Sequence, residues 1–350
     1  MKRNKIFAVV LVVVMTVICL FGMTAVAGET ENPEVKYTYN TPFPNVHPFS
    51  ILDQAWFDEL AQYNIIVEPF WSNSLVSPVT PYQEVLDGVA DMTQVIPGAE
   101  ADHFYVANAV QAFYAWGTST PRVVYEVTKA LVNECEPLRA EYKGVVPFGI
   151  CNAGEPAYFI TKEPVRTLSD LKGMSIRVAN DADFELIKHF GGEPIRLEVP
   201  ALMESLEKGV IDGVLLSAEA LVSMNFAEIC KYATATDHVA TFSVQKFISE
   251  DSYNKMTDEQ KAAFDELAVE ADIKRIDAGV DSEAAGLAFG EENGVEFITL
   301  SDEDLAEIDQ VYSDYALQVV EELNAKGFDG QGIYDATRAY MEQFEAEYGR

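Results

Sequence analysis

The chain has 350 residues and a formal net charge of -33, with 57 acidic side chains against 24 basic ones. A surface this acidic repels phosphate backbones and anionic lipids, which excludes nucleic-acid binding and polybasic membrane binding as main functions. Hydrophobic residues make up 49% of the chain. A chain of this length and composition can build two domains, each with its own core.

The first 27 residues have the pattern of a secretory signal peptide. The basic segment MKRNK precedes an apolar run from Ile6 to Phe21, and Ala25-Val26-Ala27 is a small-residue cleavage site. We expect cleavage near Ala27 and secretion to the periplasm. Cleavage removes three basic residues and no acid, so the net charge falls from -33 to about -36.

Two alternatives stay open for this segment. The apolar run is borderline in length for a membrane span, so a retained anchor is one of them. Lipidation of Cys19 is the other, although the preceding residues lack the small side chains of a lipoprotein site. Farther along, Cys135, Cys151 and Cys230 allow either one disulfide with one free thiol or three unpaired thiols.

The first predicted elements are a strand, a proline-rich loop, a helix and a second strand, at Val35–Asn40, Thr41–Pro48, Leu52–Tyr63 and Ile65–Phe70. A rigid loop after a first strand is where binding proteins place ligand contacts, so Phe43 and His47 are candidates. Trp71 follows the second strand, where an aromatic ring can stack on a ligand. The alternatives are core packing for the aromatic rings and an exposed imidazole for His47.

The next elements are a helix, a short strand, an aromatic-rich run, a long helix and two strands. We place them at Pro81–Leu86, after Gly88, at Phe104–Trp116, Pro121–Tyr142, Val145–Cys151 and Pro156–Thr161. Trp116 is a pocket-lining candidate, with core packing as the alternative. The strand that ends at Cys151 is expected to cross toward a second domain.

The segment from Thr167 to Leu216 alternates short strands with amphipathic helices. The predicted strands are Met174–Val178, Ile195–Val199 and Ile211–Leu216; one helix is capped by Asn180 and stopped by Gly191-Gly192, and another starts at Pro200. This alternation predicts a parallel sheet with a ligand crevice at the carboxyl ends of its strands. Arg177 and Asn180 fall at such an end.

The C-terminal part is mainly helical. Thr257 and Gln260 form a capping box that opens a helix of about 30 residues, long enough to run across two domains. A strand at Val295–Leu300 follows. A helix capped by Ser301 and Asp304 then extends to about Leu323, and a last amphipathic helix covers Tyr334–Tyr348.

Arg177 is the residue whose chemistry points to a ligand. Its guanidinium presents a planar fork that makes two parallel charge-assisted hydrogen bonds to a carboxylate. The alternative is a structural ion pair with an acid such as Asp183 or Glu193. The sequence has no GxSxG, HExxH, P-loop or GxGxxG motif and no cysteine–histidine cluster, so we expect no enzyme, no cofactor and no metal site.

The segments DLKGMSIRVAN (170–180) and GGEPIRLEVPALMESLEKGVIDG (191–213) resemble the DctP-type solute-binding proteins of TRAP transporters. The family pattern is approximately D-L-K-G-x-K-[IL]-R-V-P-N, then G-A-x-P-x-x-[MV]-P, then A-L-Q-x-G-V-V-D-G. The resemblance implies a two-domain, periplasmic-binding-protein-like (type II) α/β fold, with mixed sheets flanked by helices and a long interdomain helix. It implies domain I at 28–152 and 243–282, and domain II with the C-terminal helices at 153–242 and 283–350.

The resemblance also implies an extracytoplasmic receptor that binds a small organic carboxylate in the interdomain cleft and delivers it to the TRAP membrane permease subunits. Arg177 would hold the carboxylate. The other contact candidates are Asn180, Tyr158, Trp71, Trp116, Phe43, His47, Ser217 and Phe242. A solute-binding protein of the ABC-transporter kind is the alternative, and a secreted α/β enzyme is a further one.

Two departures from sialic-acid-type members change the expected ligand. Those relatives carry an additional arginine where this chain has Ala157, and they carry Q-E-N where this chain has Val214-Leu215-Leu216. Two polar contacts are thereby missing. We expect a smaller or more apolar carboxylate, such as an aromatic or apolar monocarboxylate.

Overall fold

The computed structural model describes residues 32–95, 100–114, 117–153, 155–197, 199–239 and 242–349. The predicted signal peptide, residues 1–27, lies outside these described residues. Within the described ranges, no helix is both long enough and apolar enough to cross a membrane.

Two mixed β-sheets organise the described chain. The strands are β1 Val35–Asn40, β2 Ile65–Phe70, β3 Met92–Val95, β4 Val145–Ala153, β5 Pro156–Thr161, β6 Ser175–Arg177, β7 Glu193–Ile195, β8 Gly213–Ser217, β9 Tyr232–Val239, β10 Phe242–Ser249 and β11 Glu296–Thr299. The first sheet has the order β2-β1-β3-β10-β4, and the second has the order β11-β9-β5-β8-β6-β7. We call the first sheet, with the helices packed on it, the first lobe. The second sheet, with its own helices, is the second lobe.

Helices cover both faces of these sheets. They are α1 Pro48–Leu60, α2 Pro81–Leu86, α3 Tyr105–Tyr114, α4 Pro121–Glu134, α5 Glu136–Ala140, α6 Asp181–His189, α7 Leu202–Glu207, α8 Ala220–Ser223, α9 Glu250–Tyr253, α10 Asp258–Glu292, α11 Asp302–Ala325 and α12 Gly330–Tyr348. Single turns of 3-10 helix lie at 61–63, 168–171, 199–201 and 226–228.

Two direct strand-to-strand connections cross between the sheets, and both join the carboxyl edges of the parallel strands. A third crossing runs through the long helix α10, from β10 of the first sheet to β11 of the second. β4 runs parallel to β3 and ends at Ala153, and β5 begins the second sheet at Pro156. β9 ends at Val239, and β10 returns to the first sheet from Phe242. The two direct connections are neighbours, because Ala153 pairs with Phe242 and Pro156 pairs with Val239. The carboxyl edges of the two sheets therefore lie next to each other, where a ligand crevice is expected.

Each sheet is buried on both faces. In the second sheet the neighbours Phe159 and Ile160 belong to different buried clusters, and so do Val214 and Leu215. This follows from the alternation of side chains along a strand. Apolar side chains that alternate between two cores explain why the strands have near-continuous apolar sequences.

The long helix α10 packs on both lobes. Its first half contributes Phe264 and Ala271 to the cluster between α1 and the first sheet. In its second half, Leu287 and Phe289 pack on the core of the second sheet. The helix has 35 residues, or about 50 Å at 1.5 Å per residue. The predicted interdomain helix is therefore confirmed, together with its capping box of Thr257 and Gln260.

Helix α11 is also shared between the two cores. Ile308, Val311 and Tyr312 pack in the second lobe with β6 and α6. Ala316, one turn farther on, and Leu323 pack in the first lobe with α3 and α12. A single helix therefore contributes buried side chains to both lobes.

The predicted fold class is confirmed: two mixed sheets flanked by helices, joined by a long helix. The strands at Val35–Asn40, Ile65–Phe70 and Pro156–Thr161 have the predicted bounds. The domain boundaries stay predictions, since Val35–Arg350 form one compact unit.

Two element predictions were wrong. The helix predicted for Pro121–Tyr142 is interrupted at Cys135, whose backbone is extended (φ -83°, ψ 104°). Pro137 has no N–H and its ring would clash with the preceding turn, so a helix that continued through this position would be kinked or broken. The strand predicted for Ile195–Val199 lies earlier, at Glu193–Ile195. It is an edge strand, and its partner, β6, ends at Arg177 opposite Ile195.

Candidate functional site

Arg177 ends β6 at the carboxyl edge of the second sheet. Its side chain is buried, with 7% of the residue exposed, and its Nε–H donates to the carbonyl oxygen of Leu197 at 3.2 Å. β6 lies between β7 and β8, so the backbone of Arg177 is fixed on both sides. The hydrogen bond to Leu197 then restricts the plane of the guanidinium.

Asn180 caps helix α6, three residues after Arg177. Its Oδ1 accepts a hydrogen bond from the backbone N–H of Asp183 at 2.8 Å, and its Nδ2 donates to Oδ2 of Asp183 at 2.8 Å. Both ends of the Asn180 amide are therefore oriented by one residue. The positive end of the α6 dipole lies at this position, which favours an anion.

Asp183 is a buried carboxylate at this helix start. Burial raises its pKa to about 6, while hydrogen bonds from Tyr312 and Asn180 and the charge of Arg177 act in the opposite direction. Asp183 is thus an electrostatic partner of Arg177, and the alternative of a structural ion pair between the two stays open. Glu193, the other acid considered, is exposed at the start of β7.

Ser217 and Tyr158 lie on neighbouring strands at the same edge. Ser217 is the last residue of β8 and is opposite Ala157 of β5. Tyr158 is half-buried, and its ring centroid lies 6.5 Å from that of Phe297, within the packing of the second-lobe core. Its ring therefore has a contact in the second-lobe core.

Phe43 and His47 come together at the carboxyl edge of the first sheet. Their rings stack with centroids 4.4 Å apart, and Phe49 lies edge-on to both, at 5.4 and 5.0 Å. His47 Nδ1 accepts a hydrogen bond from the backbone N–H of Phe49 at 3.2 Å, so His47 is the N-cap of α1. Burial, and then the charge of Arg275, lower the pKa of His47, which favours the neutral ring that this cap requires.

The remaining aromatic candidates are less well placed by the structure. Trp71 directly follows β2 and is half-buried, with its ring centroid 6.4 Å from that of Phe57 in the first-lobe core. Trp116 lies outside the described residues. Phe242 is described only through its backbone, which starts β10 at the crossing between the sheets. The structure thus places the candidates that it describes at the carboxyl edges of the two sheets, in separate groups.

A buried cluster of four charged side chains was missed by the sequence analysis. Lys246 Nζ lies 3.3 Å from Asp272 Oδ1 and 3.7 Å from Asp53 Oδ1, and Arg275 contacts both acids. Each of the four side chains is at most 2% exposed. The available signal was Lys246 inside the otherwise strand-like SVQKFIS, since a lysine is seldom fully buried unless it is paired.

This ion cluster contacts the group of rings formed by Phe43, His47 and Phe49. The guanidinium of Arg275 lies 5.5 Å from the ring centroid of Phe49, within cation–π range. Tyr39 extends the network, with its hydroxyl 3.0 Å from Asp53 Oδ2 and 2.9 Å from Gln94 Oε1. The cluster therefore fixes α10, α1 and β10 relative to one another directly behind the first-sheet edge.

Three acids meet where the long helix passes the crossing. The backbone N–H of Glu219 donates to Oε2 of Glu283 at 3.3 Å. Burial, with the nearby charges of Glu155 and Glu219, raises the pKa of Glu283 to about 7, and burial raises that of Glu155 to about 6. Glu155 lies against α10 at Gly279, one turn before Glu283.

The described residues contain no group of three or more His, Cys, Asp or Glu side chains that could hold a metal ion. Cys135 and Cys230 are free thiols, and burial raises the pKa of each, to about 12 for Cys230. The side chain of Cys151 lies outside the described part of the chain.

Comparison with known proteins places this chain among bacterial extracellular solute-binding proteins. The sequence model of DctP, described as bacterial extracellular solute-binding protein family 7, matches residues 58–322. A solute-binding protein of Roseobacter denitrificans is 26% identical over 144 residues, which is 41% of this chain and 44% of that protein. The match to this curated relative thus spans less than half of its length.

Three solved structures have the same fold. A TRAP periplasmic solute-binding protein from Desulfovibrio salexigens has a TM-score of 0.80 and 23% identity, covering 91% of this chain and 98% of that chain. A marine metagenome TRAP solute-binding protein, specific for aromatic acid ligands and in complex with metahydroxyphenylacetate, has a TM-score of 0.74 and 20% identity, covering 91% and 100%. One from Rhodoferax ferrireducens, in complex with copurified benzoate, has a TM-score of 0.72 and 21% identity, covering 89% and 99%.

Proposed function

The chain belongs to the DctP family of bacterial extracellular solute-binding proteins, and on this premise we propose that it is the substrate receptor of a TRAP transporter. The receptor binds a small organic carboxylate between the two neighbouring sheet edges. It closes around the ligand by hinge motion and delivers it to the membrane permease subunits.

The observation that carries this proposal is the geometry of Arg177. A buried guanidinium at a strand end, oriented by Leu197 and next to a helix N-terminus, suits a planar anion. The strongly acidic surface repels anions at long range, so a local and partly dry cation must supply the binding energy.

The ligand we propose is an aromatic or apolar monocarboxylate. Val214, Leu215 and Leu216, on the strand beside Arg177, have no polar side chains, and Ala157 offers no second cation. The first-sheet edge adds the rings of Phe43 and Trp71. The fold neighbours that hold metahydroxyphenylacetate and benzoate support this ligand class.

A ligand screen tests the proposal. The mature protein is unfolded and refolded to release any carried-over ligand, and its melting temperature is measured with benzoate, hydroxybenzoates, aliphatic carboxylates, sugars, amino acids and polyamines. A ligand at 100 times its Kd adds about 2.7 kcal/mol to the free energy of unfolding. We expect shifts confined to carboxylates, with the largest for an aromatic acid. Shifts only with neutral or cationic solutes would contradict the carboxylate site.

We also propose export and cleavage near Ala27. The expected mature protein begins at Gly28, and the mass of the protein recovered from the periplasm of an expressing cell checks this. Protein that stays in the membrane fraction with a mass that includes residues 1–27 would instead indicate a retained anchor.

A further inference from the structure

Tyr312, in the C-terminal part of the chain, contacts Asp183, the acid that interacts with Arg177. The hydroxyl of Tyr312 donates to Oδ1 of Asp183 at 2.8 Å, across a sequence separation of 129 positions. Tyr312 is 3% exposed and Asp183 is 8% exposed, so water competes little with this bond. A neutral donor to a buried carboxylate makes a charge-assisted hydrogen bond, which is stronger than a neutral one.

Asp183 connects Tyr312 to Asn180 and Arg177 in the candidate ligand site. One of its oxygens accepts from Tyr312 and the other from Asn180 Nδ2, while its backbone N–H donates to Asn180 Oδ1. Its charge also interacts with Arg177. The orientation of the Asn180 amide and the field at Arg177 thus both depend on how Asp183 is held.

Tyr312 itself is held firmly by its helix. It lies where α11 passes from the second-lobe core to the first-lobe core, one turn before Ala316. Its ring also lies edge-on to His238, with centroids 5.2 Å apart. A side chain fixed in this way can orient Asp183 without moving with the ligand.

We propose that Tyr312 and Asp183 are positioning residues of the carboxylate site: Tyr312 holds Asp183, and Asp183 orients Asn180 and sets the field at Arg177. The inference rests on the proposed function, because the site it serves is the proposed ligand site. It adds a contribution from α11, a helix shared with the other lobe.

The titratable groups around Asp183 define a pH test. Facing it are Arg177 from β6 and Tyr312 from α11; behind Tyr312 lie His238 of β9 and Asp309, which is 3.5 Å from His238 Nε2. On its own helix, the exposed Asp181 pairs with Arg196 and Glu185 pairs with Lys188. Burial lowers the pKa of His238 to about 4, so His238 stays neutral in the range where Asp183 titrates.

The first experiment follows the side-chain amide of Asn180 by 15N NMR in the empty receptor as a function of pH. We expect its resonance to titrate near pH 6 with Asp183. Tyr312→Phe removes a hydrogen bond that stabilises the ionised form, so the midpoint moves upward. Asp183→Asn abolishes the titration. Tyr315→Phe, three residues farther along α11, is the control and leaves the midpoint in place.

The second experiment measures Kd for benzoate by calorimetry, or for the best carboxylate of the screen if benzoate does not bind. We expect Tyr312→Phe to weaken binding about fivefold, the scale of one lost hydrogen bond. Tyr315→Phe should leave Kd within about twofold. Circular dichroism melting confirms that each variant is folded, and Asp183→Asn replaces Tyr312→Phe if the latter does not fold.

The outcomes separate the two proposals. A Tyr312→Phe variant that is folded and keeps both the wild-type midpoint and the wild-type Kd overturns the positioning role, and so does one that only lowers the melting temperature. If the binding of the carboxylate still depends on Arg177 in that case, the proposed receptor function is unaffected. A wild-type protein that binds no carboxylate overturns the proposed function, whatever the NMR titration gives.

Discussion

Oε2 of Glu283 accepts a hydrogen bond from the backbone N–H of Glu219 at 3.3 Å, which connects the second half of the long helix to the turn after β8. The other oxygen, Oε1, is buried and has no hydrogen-bond partner among the described residues. Glu155 lies on the same face of the helix, so two carboxylates share a site with little water. Protonation of Glu283 removes the repulsion between the two carboxylates.

We therefore predict that Glu283→Gln stabilises the protein at high pH. The folded-state pKa of about 7 lies above the ordinary value of 4.5. The stabilisation that Glu283 contributes is thus complete below about pH 4.5 and is lost as the pH rises through 7. The substituted amide is neutral at every pH, so the variant should gain about 1–2 kcal/mol at pH 8 and almost nothing at pH 4.5.

Urea unfolding at both pH values measures this difference. Glu266→Gln, which changes an exposed acid on the same helix, serves as the control and should have little effect at either pH. An equal gain for Glu283→Gln at pH 4.5 and pH 8 would show that the carboxylate is not the source of the effect.

Replacement of Arg177 should abolish tight binding and leave the fold intact. Removing one partner of a buried, hydrogen-bonded charge pair typically costs about 2–5 kcal/mol of binding free energy. Arg177→Ala should therefore raise Kd by at least about 30-fold. Arg177→Lys should lose most of the affinity too, because an ammonium cannot reproduce the planar fork.

Calorimetric titration with the best ligand of the screen measures this loss, and Arg166→Ala is the matched control. Arg166 is exposed and pairs with Glu296 in the same lobe, so its removal should not change Kd. The carboxylate clamp is refuted by an Arg177→Ala protein that binds as tightly as the wild type.

The buried ion cluster should be sensitive to the loss of one charge. Lys246→Met leaves Asp53 and Asp272 with Arg275 alone, and breaking a buried ion network typically costs about 3–5 kcal/mol. Lys274→Met is the control: Lys274 precedes Arg275 but is 50% exposed and pairs with Glu59 at 2.9 Å. An exposed pair contributes about 1 kcal/mol or less.

Urea denaturation at pH 7 compares the two variants. If Lys246→Met and Lys274→Met lose equal stability, the buried network does not behave as one unit.

Close packing of the long helix on the second lobe requires glycine at position 286. A Cβ there would lie 2.2 Å from the carbonyl oxygen of Ala218, which is backbone and cannot move independently. Gly286→Ala should therefore cost about 1–3 kcal/mol despite the better helix propensity of alanine. At Gly279 a Cβ would meet the end of the Glu155 side chain, at 2.6 Å, and a side chain can adjust.

Thermal melting of the two alanine variants tests this contrast. We expect a clear loss for Gly286→Ala and a smaller change for Gly279→Ala. A Gly286→Ala protein with an unchanged melting temperature would mean that the helix and the turn do not pack at this distance.

Local patterns account for the elements that the sequence predicted well. The strand Ile65–Phe70 is a short apolar run bounded by Asn64, which has a positive φ of 59°. The start of helix α10 is indicated by its capping box, in which the Thr257 side chain and Gln260 exchange hydrogen bonds. The cap of α6 by Asn180 is equally local, since its partner is three residues away. Each of these signals lies within a few residues of its effect.

The parts that were missed depend on contacts between distant segments. Lys246 and Asp53 meet only after β10 inserts into a sheet built from the N-terminal strands. The bond from Tyr312 to Asp183 spans 129 positions and has no local pattern. The chemistry of Arg177 and Asn180 could be inferred from residue type and position, whereas the side chains that hold them could not.

The position of β10 has a consequence for the order in which the chain can acquire its structure. β10 lies between β3 and β4 and is the strand that joins them, so a chain that ends before it leaves β4 without a neighbour among the described strands of its sheet. The first sheet therefore stays incompletely paired during synthesis until every strand of the second sheet except β11 has been synthesised. Fragments cut anywhere between β4 and β10 should be unable to fold alone, but two complementary fragments should be able to associate.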